Sequence, residues 1–250
     1  MSAIIIIPAR MDSNRFPGKP LAMAAGKPLL EWTWLQAKKT KADYVWITTP
    51  DREIGRFCQT KGILWRPSSK DCPTGTHRCA EFMDQLTGPM APSIDVIVNW
   101  QVDSPLVNPL WVDKLIKFVR DRRDRDLVGT LVHQPGGSWG RIGGLDEDKN
   151  VVKVAISKGD TIHPKDQNRC YWFSRAPMFG SMAHIGIYCC NRFTLGDLGW
   201  LTPTRLSKVE SLEQLAWIER GVSVFGIEVD EFSKSIDSPE DWEEFKRVVE

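Results

Sequence analysis

The chain has 250 residues, and its 33 Lys plus Arg nearly balance its 32 Asp plus Glu, which gives a formal net charge of +1. Proteins that bind nucleic acid or membrane surfaces usually carry a strong basic excess, so this balance argues against both partners. The composition, 42% hydrophobic and 26% charged, is typical of a globular protein. A chain of this length is able to form one large domain.

The N-terminal residues and the cysteines both indicate a cytoplasmic protein. The first eight residues carry no positively charged segment and only a short apolar run, so they predict neither a signal peptide nor a membrane span. The six cysteines include no Cys-x-x-Cys pair, and without an export signal we expect reduced thiols rather than disulfides. The four histidines are scattered, and we expect no structural zinc site.

The first half of the chain alternates between strand and helix patterns. The β-branched run from Ile4 to Ile7, ended by Pro8, is typical of a fully buried parallel strand. A cationic loop rich in turn formers follows over 9–20. The pattern then predicts a helix over 28–39, a strand over 44–49, a helix over 53–61 that stops at Gly62, a short strand over 63–65, a helix over 76–86, a strand over 95–100 and a helix over 109–120.

The second half is less regular but continues the same alternation. Residues 121–126 predict a solvated turn or helix end, and the glycine-rich stretch 135–150 predicts a loop. Strands are predicted over 151–156, 170–173, 185–190 and 222–229, and helices over 207–219 and 239–249. We therefore predict an α/β fold with a doubly wound, mostly parallel sheet in a single domain over 1–250, in which about 125–205 form an inserted section.

In such sheets ligands gather at the carboxyl ends of the strands, where two loops of this chain are expected. The first places Arg10, Arg15 and Lys19 after the first buried strand. Three cations at one strand end suit a triphosphate, although a solvated basic loop gives the same pattern. Neither a Walker A motif nor Gly-x-Gly-x-x-Gly is present.

Two carboxylates are candidate ligands for Mg²⁺. Asp103 follows a buried strand and lies beside Gln101, while Asp237 precedes the last predicted helix. Mg²⁺ is commonly held by one or two carboxylates together with phosphate oxygens. The alternatives are that Asp103 caps a turn before Pro105 and that Asp237 is a plain helix N-cap.

Two further polar groups suit a ligand with hydroxyl groups. On a strand, His184, Gly186 and Tyr188 face one way, and the glycine leaves room for a bound molecule. On one helix, Glu210 and the pair Glu213–Gln214 share a face, which suits sugar hydroxyls. A half-buried structural strand and a solvated helix face explain the two patterns equally well.

Several short motifs occur in a fixed order along most of the chain. They are Ile5-Ile-Ile-Pro-Ala-Arg10, Arg15-Phe-Pro-Gly-Lys-Pro20, Gly26-Lys-Pro28, Thr74-Gly-Thr76 with Arg78 and Ala80-Glu81, Val98-Asn99 with Gln101 and Asp103, Asn150-Val-Val-Lys-Val154, Phe173-Ser-Arg-Ala-Pro177, His184-Ile-Gly-Ile-Tyr188, Leu212-Glu-Gln-Leu215 and Ile236-Asp-Ser-Pro-Glu-Asp241. Each alone is weak, but their ordered combination resembles the CMP-Kdo synthetase (3-deoxy-manno-octulosonate cytidylyltransferase) family.

The resemblance implies a Rossmann-like nucleotidyltransferase fold and an enzyme. In that family CTP and Kdo give CMP-Kdo and pyrophosphate with Mg²⁺, a step of lipopolysaccharide biosynthesis, and a homodimer is expected. The anomeric hydroxyl of the sugar acid attacks the α-phosphorus of CTP, a transfer that depends mainly on positioning and charge neutralisation.

The resemblance also implies a role for individual residues. Catalysis is assigned to Arg10, Lys19 and Asp103, nucleotide binding to Arg10, Arg15, Lys19, Gly75, Thr76 and Gln101, sugar-acid binding to Arg175, His184, Tyr188, Glu213 and Gln214, and metal binding to Asp103 and Asp237. Among these, Gly75 and Thr76 are expected to approach the cytosine or ribose, and Arg175 the substrate carboxylate.

The chain departs from the family pattern near both substrates. Val102 and Ser104 stand where the family has Gly and Glu, and Ser69-Lys-Asp-Cys72 aligns with Arg-x-Asp-His, for which Arg66 is a candidate substitute. The connection over 177–184 is shorter than in the family, near the sugar site and the dimer contact. Two alternatives therefore stay open: a nucleotidyltransferase for a different sugar or base, and a non-catalytic nucleotide-sugar binding protein on the same fold.

Overall fold

The computed structural model describes residues 2–13, 15–122, 124–134, 145, 147–158, 167–178 and 180–250. The strands are β1 (Ser2–Pro8), β2 (Met23–Ala24), β3 (Lys27–Pro28), β4 (Tyr44–Thr49), β5 (Trp65–Pro67), β6 (Ile94–Trp100), β7 (Leu127–His133), β8 (Lys153–Ile156), β9 (Arg169–Ser174), β10 (Met182–Asn191) and β11 (Ser223–Val229). The helices are α1 (Leu29–Ala37), α2 (Arg52–Lys61), α3 (Gly75–Asp84), α4 (Pro109–Arg122), α5 (Arg192–Leu198), α6 (Arg205–Glu210), α7 (Glu213–Ile218) and α8 (Pro239–Val249).

The main sheet is mixed, so the prediction of a mostly parallel sheet is correct only in part. The nine strands run in the order β5-β4-β1-β6-β10-β7-β11-β9-β8. The first four are parallel to one another, as the strand–helix alternation predicts. β10 is antiparallel to both of its neighbours, β6 and β7, and β9 is antiparallel to β11. The section expected as an insertion, about 125–205, contributes β7, β8, β9 and β10 to this same sheet.

Helices cover both faces of the sheet, as expected for a doubly wound fold. The side chains of β1 alternate between the two layers: Ile5 and Ile7 pack with residues of α1, α2 and α4, and Ile4 and Ile6 pack with residues of α3, α5 and α7. All four isoleucines are fully buried. Burial on both faces explains the unbroken apolar run, because a strand with one solvated face alternates instead.

A third apolar cluster ties the end of the chain to its beginning. Trp242 and Phe245 of α8 pack with Leu29 of α1 and with the partly buried Phe16 of the first loop. The rings of Phe16 and Trp242 lie 5.9 Å apart. The cluster brings the segment before α8 close to the loop after β1.

The structure differs from the predicted elements in several places. The predicted helix over 207–219 is two helices, α6 and α7, because Ser211 adopts a left-handed conformation with φ 55° and ends α6. β7 and α5 were not predicted, and the short strand predicted over 63–65 begins at Trp65 instead. The stop at Gly62 is confirmed, since this residue caps α2 with φ 66°. None of the described helices is long and apolar enough to cross a bilayer.

Candidate active site

Two adjoining cavities, of about 340 and 240 Å³, open at the carboxyl ends of β1 and β6. Arg15, Gln101, Asp103 and Asp237 line both. After the binding roles predicted from the sequence, we call the larger one, which contains the cationic first loop and the start of α3, the nucleotide cavity, and the smaller one the acceptor cavity. β1 and β6 are parallel neighbours, which brings the two loops predicted from the sequence to one edge of the sheet.

The two candidate metal carboxylates lie close together on either side of Lys19. The ammonium nitrogen of Lys19 is 2.9 Å from Asp103 Oδ2 and 3.9 Å from Asp237 Oδ1, and it also donates to the carbonyl of Ile236 at 2.8 Å. The Ile236 amide in turn donates to the Asp103 carbonyl at 2.8 Å. Asp237 is not the N-cap of α8, because Ser238 takes that position in a capping box with Asp241.

The pair of carboxylates has the donor chemistry of a magnesium site. Burial, followed by the negative charge of Asp103, raises the pKa of Asp237. This repulsion between like charges is what a bound divalent cation relieves, and carboxylate oxygens are its preferred protein ligands. Within the described residues no group of three or more His, Cys, Asp or Glu side chains is placed to hold a metal ion. A cation held by Asp103 and Asp237 would therefore take its remaining ligands from groups other than these four types of side chain.

The first loop spans the boundary between the cavities. The Arg15 guanidinium donates to Asp237 Oδ1 at 2.9 Å and to Asn150 Oδ1 at 2.8 Å. Half of the Arg15 side chain is exposed, so these contacts are screened by solvent. Arg10 and Lys19 line the nucleotide cavity with it. The three predicted cations are thus brought to one place.

The start of α3 forms the opposite wall of the nucleotide cavity. Gly75 lines it, together with Cys72, Pro73 and Arg78. Arg78 donates to the Ser69 carbonyl at 2.8 Å, and the sequence pattern predicts no role for it. Arg66, the suggested substitute, instead donates to the Gln85 carbonyl and stacks over Phe82.

Thr76 is the predicted nucleotide-binding residue that does not line either cavity. Its side chain turns into the interior, where it is 3% exposed and donates to Glu213 Oε1 at 3.1 Å. The neighbouring Gly75 lines the nucleotide cavity, and because it has no side chain it leaves room for the Gln101 amide. A Cβ at Gly75 would lie 2.8 Å from Gln101 Nε2, which is shorter than real Cβ contacts allow.

In the acceptor cavity, β10 presents the polar face predicted for residues 184–188. His184, Gly186 and Tyr188 line the cavity, and Ile185 and Ile187 point to the opposite core. The antiparallel direction of β10 places this segment beside the end of β6, since Ile187 pairs with Trp100. A Cβ at Gly186 would meet no atom within 4 Å, so the cavity is open above it.

His184 is held as a neutral imidazole. Burial, followed by the nearby Arg175 charge, lowers its pKa to about 3. The Thr130 hydroxyl lies 2.8 Å from the Ile187 carbonyl and 2.8 Å from His184 Nε2. A hydroxyl has one proton, so it donates to the carbonyl and accepts from Nε2–H. His184 Nδ1 is therefore a hydrogen-bond acceptor.

Glu213 and Gln214 bring two unpaired acceptor atoms to the acceptor cavity. Both residues line it, and Glu213 Oε2 and Gln214 Oε1 are buried without a hydrogen-bond partner within the described part of the chain. Burial raises the pKa of Glu213. Gln214 Nε2 donates to the Tyr188 hydroxyl. Buried acceptors without partners are costly, so these atoms are suited to a ligand that supplies hydroxyl donors.

The sequence predicts that Glu213 and Gln214 share a helix face with Glu210, and this prediction is wrong. The break at Ser211 places them at the start of α7, whereas Glu210 ends α6 and accepts from the Ser174 hydroxyl at 3.0 Å. Short-range periodicity missed this break because Ser211 is a rare left-handed residue other than glycine.

Arg175 enters the acceptor cavity from the end of β9. Its guanidinium donates to the carbonyls of Lys149 and Asn150, at 3.1 and 3.4 Å. Beneath it, the fully buried ammonium of Lys153 donates to the carbonyls of Asp148, Val151 and Arg175, at 2.8, 2.8 and 3.0 Å. Lys153 thus joins the backbone segments that carry Asn150 and Arg175. The cavity is also lined by Asn150, Lys234 and Ser235, for which the sequence pattern predicts no role.

Known proteins resemble this chain along nearly its whole length. The family model described as "Cytidylyltransferase" matches residues 4–229. The mitochondrial 3-deoxy-manno-octulosonate cytidylyltransferase of Arabidopsis thaliana is 33% identical over 98% of this chain and 82% of its own, and the enzyme of that name from Thermodesulfovibrio yellowstonii is 34% identical over 97% and 96%. A solved structure of CMP:2-keto-3-deoxy-manno-octonic acid synthetase complexed with CTP is 27% identical, covers 100% of this chain and 98% of that one, and has a TM-score of 0.85.

The resemblance predicted from the sequence is confirmed by the family model, by near full-length identities above 30% and by the shared fold. The Rossmann-like nucleotidyltransferase architecture is likewise consistent with the structural match, with a mixed rather than a parallel sheet. The chain belongs to the cytidylyltransferase family, among relatives named 3-deoxy-manno-octulosonate cytidylyltransferase.

Proposed function

We propose that this protein is a cytidylyltransferase that transfers CMP from CTP to the anomeric hydroxyl of Kdo or a related 2-keto sugar acid. One observation carries the proposal. A cationic cavity meets a cavity with unpaired buried acceptors, and Asp103 and Asp237 lie at their junction. This arrangement suits a triphosphate on one side and a polyhydroxylated acid on the other.

The reaction forms one phosphorus–oxygen bond and breaks another. The acceptor hydroxyl oxygen bonds to the α-phosphorus of CTP, the bond to the bridging oxygen of pyrophosphate breaks, and the hydroxyl proton is released. Arg10, Arg15 and Lys19 hold the triphosphate and neutralise the charge that develops on it. Gln101, which lines both cavities, lies where the two substrates meet.

The acceptor is oriented by groups of opposite character. Arg175 pairs with the carboxylate of the sugar acid, since a guanidinium recognises carboxylates in a planar, two-pronged geometry. Glu213 Oε2, Gln214 Oε1 and the neutral His184 accept from its hydroxyls. Fixing the acceptor hydroxyl near the α-phosphorus turns a collision between two substrates into a reaction within one complex.

Mg²⁺ belongs to the same proposal. Asp103 and Asp237 would hold it, and when bound it would supply positive charge to the triphosphate oxygens. The protein's own part is to keep these two carboxylates together, which it does through Lys19 and the Ile236–Asp103 backbone hydrogen bond.

Pyrophosphate release with CTP, Mg²⁺ and a panel of sugar acids tests the proposal. We expect release with a 2-keto sugar acid, and no release with any of them would contradict it. Asp103→Asn should abolish turnover while keeping the melting temperature of the folded protein. Asp121→Asn makes the same chemical change on the exposed side of α4, where Asp121 pairs only with Lys117 among the described residues, and should leave turnover unchanged.

The choice of base is tested separately, because Cys72, where the chain departs from the family pattern, lines the nucleotide cavity beside Arg78. A tight ligand raises the melting temperature by mass action. We expect the largest rise with CTP among CTP, UTP, ATP and GTP. A larger rise with another nucleotide would assign the enzyme a different base.

A further inference from the structure

A continuous chain of hydrogen bonds runs beneath the two cavities. Gln101 Nε2 donates to Asn99 Oδ1 at 2.8 Å, Asn99 Nδ2 donates to Thr76 Oγ1 at 3.2 Å, and Thr76 Oγ1 donates to Glu213 Oε1 at 3.1 Å. Asn99 and Thr76 are each 3% exposed. The chain therefore links a residue at the junction of the cavities to a carboxylate of the acceptor cavity without passing through solvent.

The direction of every bond in this chain follows from the carboxylate at its end. Glu213 Oε1 accepts from the Thr76 hydroxyl, so the one proton of that hydroxyl is committed to it. The Thr76 oxygen must then accept, and the Asn99 amide group is the donor that faces it. The carbonyl oxygen of Asn99 is left to accept from Gln101, which turns the Gln101 amide nitrogen inward and leaves its Oε1 as the acceptor.

The position of Gln101 makes this orientation matter. Its amide lies over Gly75, where a Cβ would come within 2.8 Å of Nε2 and 3.1 Å of Oε1. Within the described residues, the one hydrogen bond of the Gln101 side chain is the one donated to Asn99. Oε1 is thus available to accept from a donor in the junction between the nucleotide and acceptor cavities.

We propose that Asn99 is a positioning residue for Gln101. Because Glu213 accepts from Thr76, Asn99 donates to Thr76 and accepts from Gln101. This orientation presents Gln101 Oε1 to a hydroxyl of the acceptor substrate. The identity of the group that Gln101 binds rests on the proposed function, whereas the chain of hydrogen bonds is a property of the folded protein. Double-mutant cycles measure how much interaction free energy two residues of such a network share.

Asn99→Asp breaks the chain with almost no change in size. The new carboxylate and Glu213 would both require the single Thr76 proton, and two negative charges would be buried on either side of one hydroxyl. Adding Glu213→Gln repairs the chain, because the introduced amide donates to Thr76 and the Thr76 hydroxyl donates to the introduced carboxylate. That carboxylate still accepts from Gln101. The orientation of Gln101 is then restored, although the two hydrogen bonds of Thr76 run in the opposite direction.

The four proteins of this cycle are compared by kcat at saturating CTP and sugar acid and by the free energy of unfolding. Asn99→Asp should lower kcat about tenfold relative to the unmodified protein, and less than about threefold relative to the Glu213→Gln single variant, with a coupling of the same sign in unfolding. The affinity for CTP, measured by binding, should change little in either background. Equal losses of kcat and of unfolding free energy in both backgrounds would overturn the inference.

Failure of the proposed function has a different signature. If the unmodified protein releases no pyrophosphate, the proposed function fails, and the coupling is decided by the unfolding free energy alone. If Asn99→Asp does not fold, Thr76→Ser and Thr76→Val replace it. The serine keeps the hydroxyl and should keep kcat within about threefold, whereas the valine should lower it about tenfold. Equal effects of the two changes would contradict the chain.

Discussion

The buried His184 predicts a loss of stability in mild acid. Its pKa is lowered from 6.5 to about 3, mainly by burial and then by Arg175. Between these two values the unfolded chain binds a proton that the folded chain does not. The stabilisation is therefore complete above pH 6.5 and is lost as the pH falls towards 3, by about 1.4 kcal/mol per pH unit. Between pH 6.5 and about pH 5 the cost is about 2 kcal/mol.

Urea unfolding of the unmodified protein and of His184→Gln, at several pH values from about 7.5 to about 5, measures this effect. The glutamine amide can still donate to Thr130 but does not titrate. The unmodified protein should lose about 2 kcal/mol more than the variant over the interval below pH 6.5. The pKa of His77 is also lowered by burial, but His77 is present in both proteins, so its contribution cancels in the difference.

Two results would refute this reasoning. Parallel stability curves for the two proteins would mean that His184 titrates alike in the folded and unfolded chains. An imidazole proton resonance of His184 that titrates near pH 6.5 would mean that the ring is not desolvated. Either result would also remove the neutral acceptor that the acceptor cavity is proposed to use.

Three further predictions concern the surroundings of the site. Gly75→Ala should lower kcat at least about tenfold in the pyrophosphate assay, since its Cβ would displace the Gln101 amide from 2.8 Å while CTP binding is largely kept. Lys153→Met should lower the free energy of unfolding by about 2 kcal/mol, because one buried and two partly buried carbonyls lose their donor. Its KM for the sugar acid should rise more than that for CTP, since the Lys153 ammonium holds the Arg175 backbone. Cys72, whose pKa is raised to about 11 by burial and then by Glu81, should react with an aromatic disulfide reagent at about pH 7 far more slowly than free cysteine does.

The nucleotide side of the site was predictable because its geometry follows from local pattern. The run from Ile4 to Ile7 identified a central strand, and the run ending at Trp100 identified another. Once two such strands are parallel neighbours, their following loops must meet, which brings Lys19 to Asp103. No long-range information beyond the alternation of strand and helix was needed for this step.

The acceptor side depends on features that sequence periodicity does not contain. The direction of β10 decides that His184 lies beside the end of β6, and an alternating strand pattern reads the same in either direction. The break at Ser211 turns Glu213 away from Glu210, although the spacing is helical. Lys153 reads as an ordinary surface lysine, yet it is fully buried on carbonyls from two segments.

The charged residues of the cleft lie on loops, and their positions are set by apolar neighbours in the sequence. Asp237 follows Ile236, which is 3% exposed in the cluster with Trp242. Arg15 precedes Phe16, which packs on the same tryptophan. Beside the metal loop, the fully buried Trp100 donates its indole N–H to the Ser104 carbonyl at 3.0 Å.

Apolar residues next to the charged ones fix the backbone of loops that no helix or strand holds in place. Lys19 and Asp103 form an ion pair at 2.9 Å, and loops held by such pairs alone would rearrange when a charged triphosphate arrives. Packed side chains at Phe16, Trp100 and Ile236 instead fix the backbone, and such packing is insensitive to the arrival of charged ligands. The indole of Trp100 adds a hydrogen bond that phenylalanine lacks, which explains a tryptophan at this position. The cleft is therefore organised before its substrates bind, as electrostatic catalysis requires.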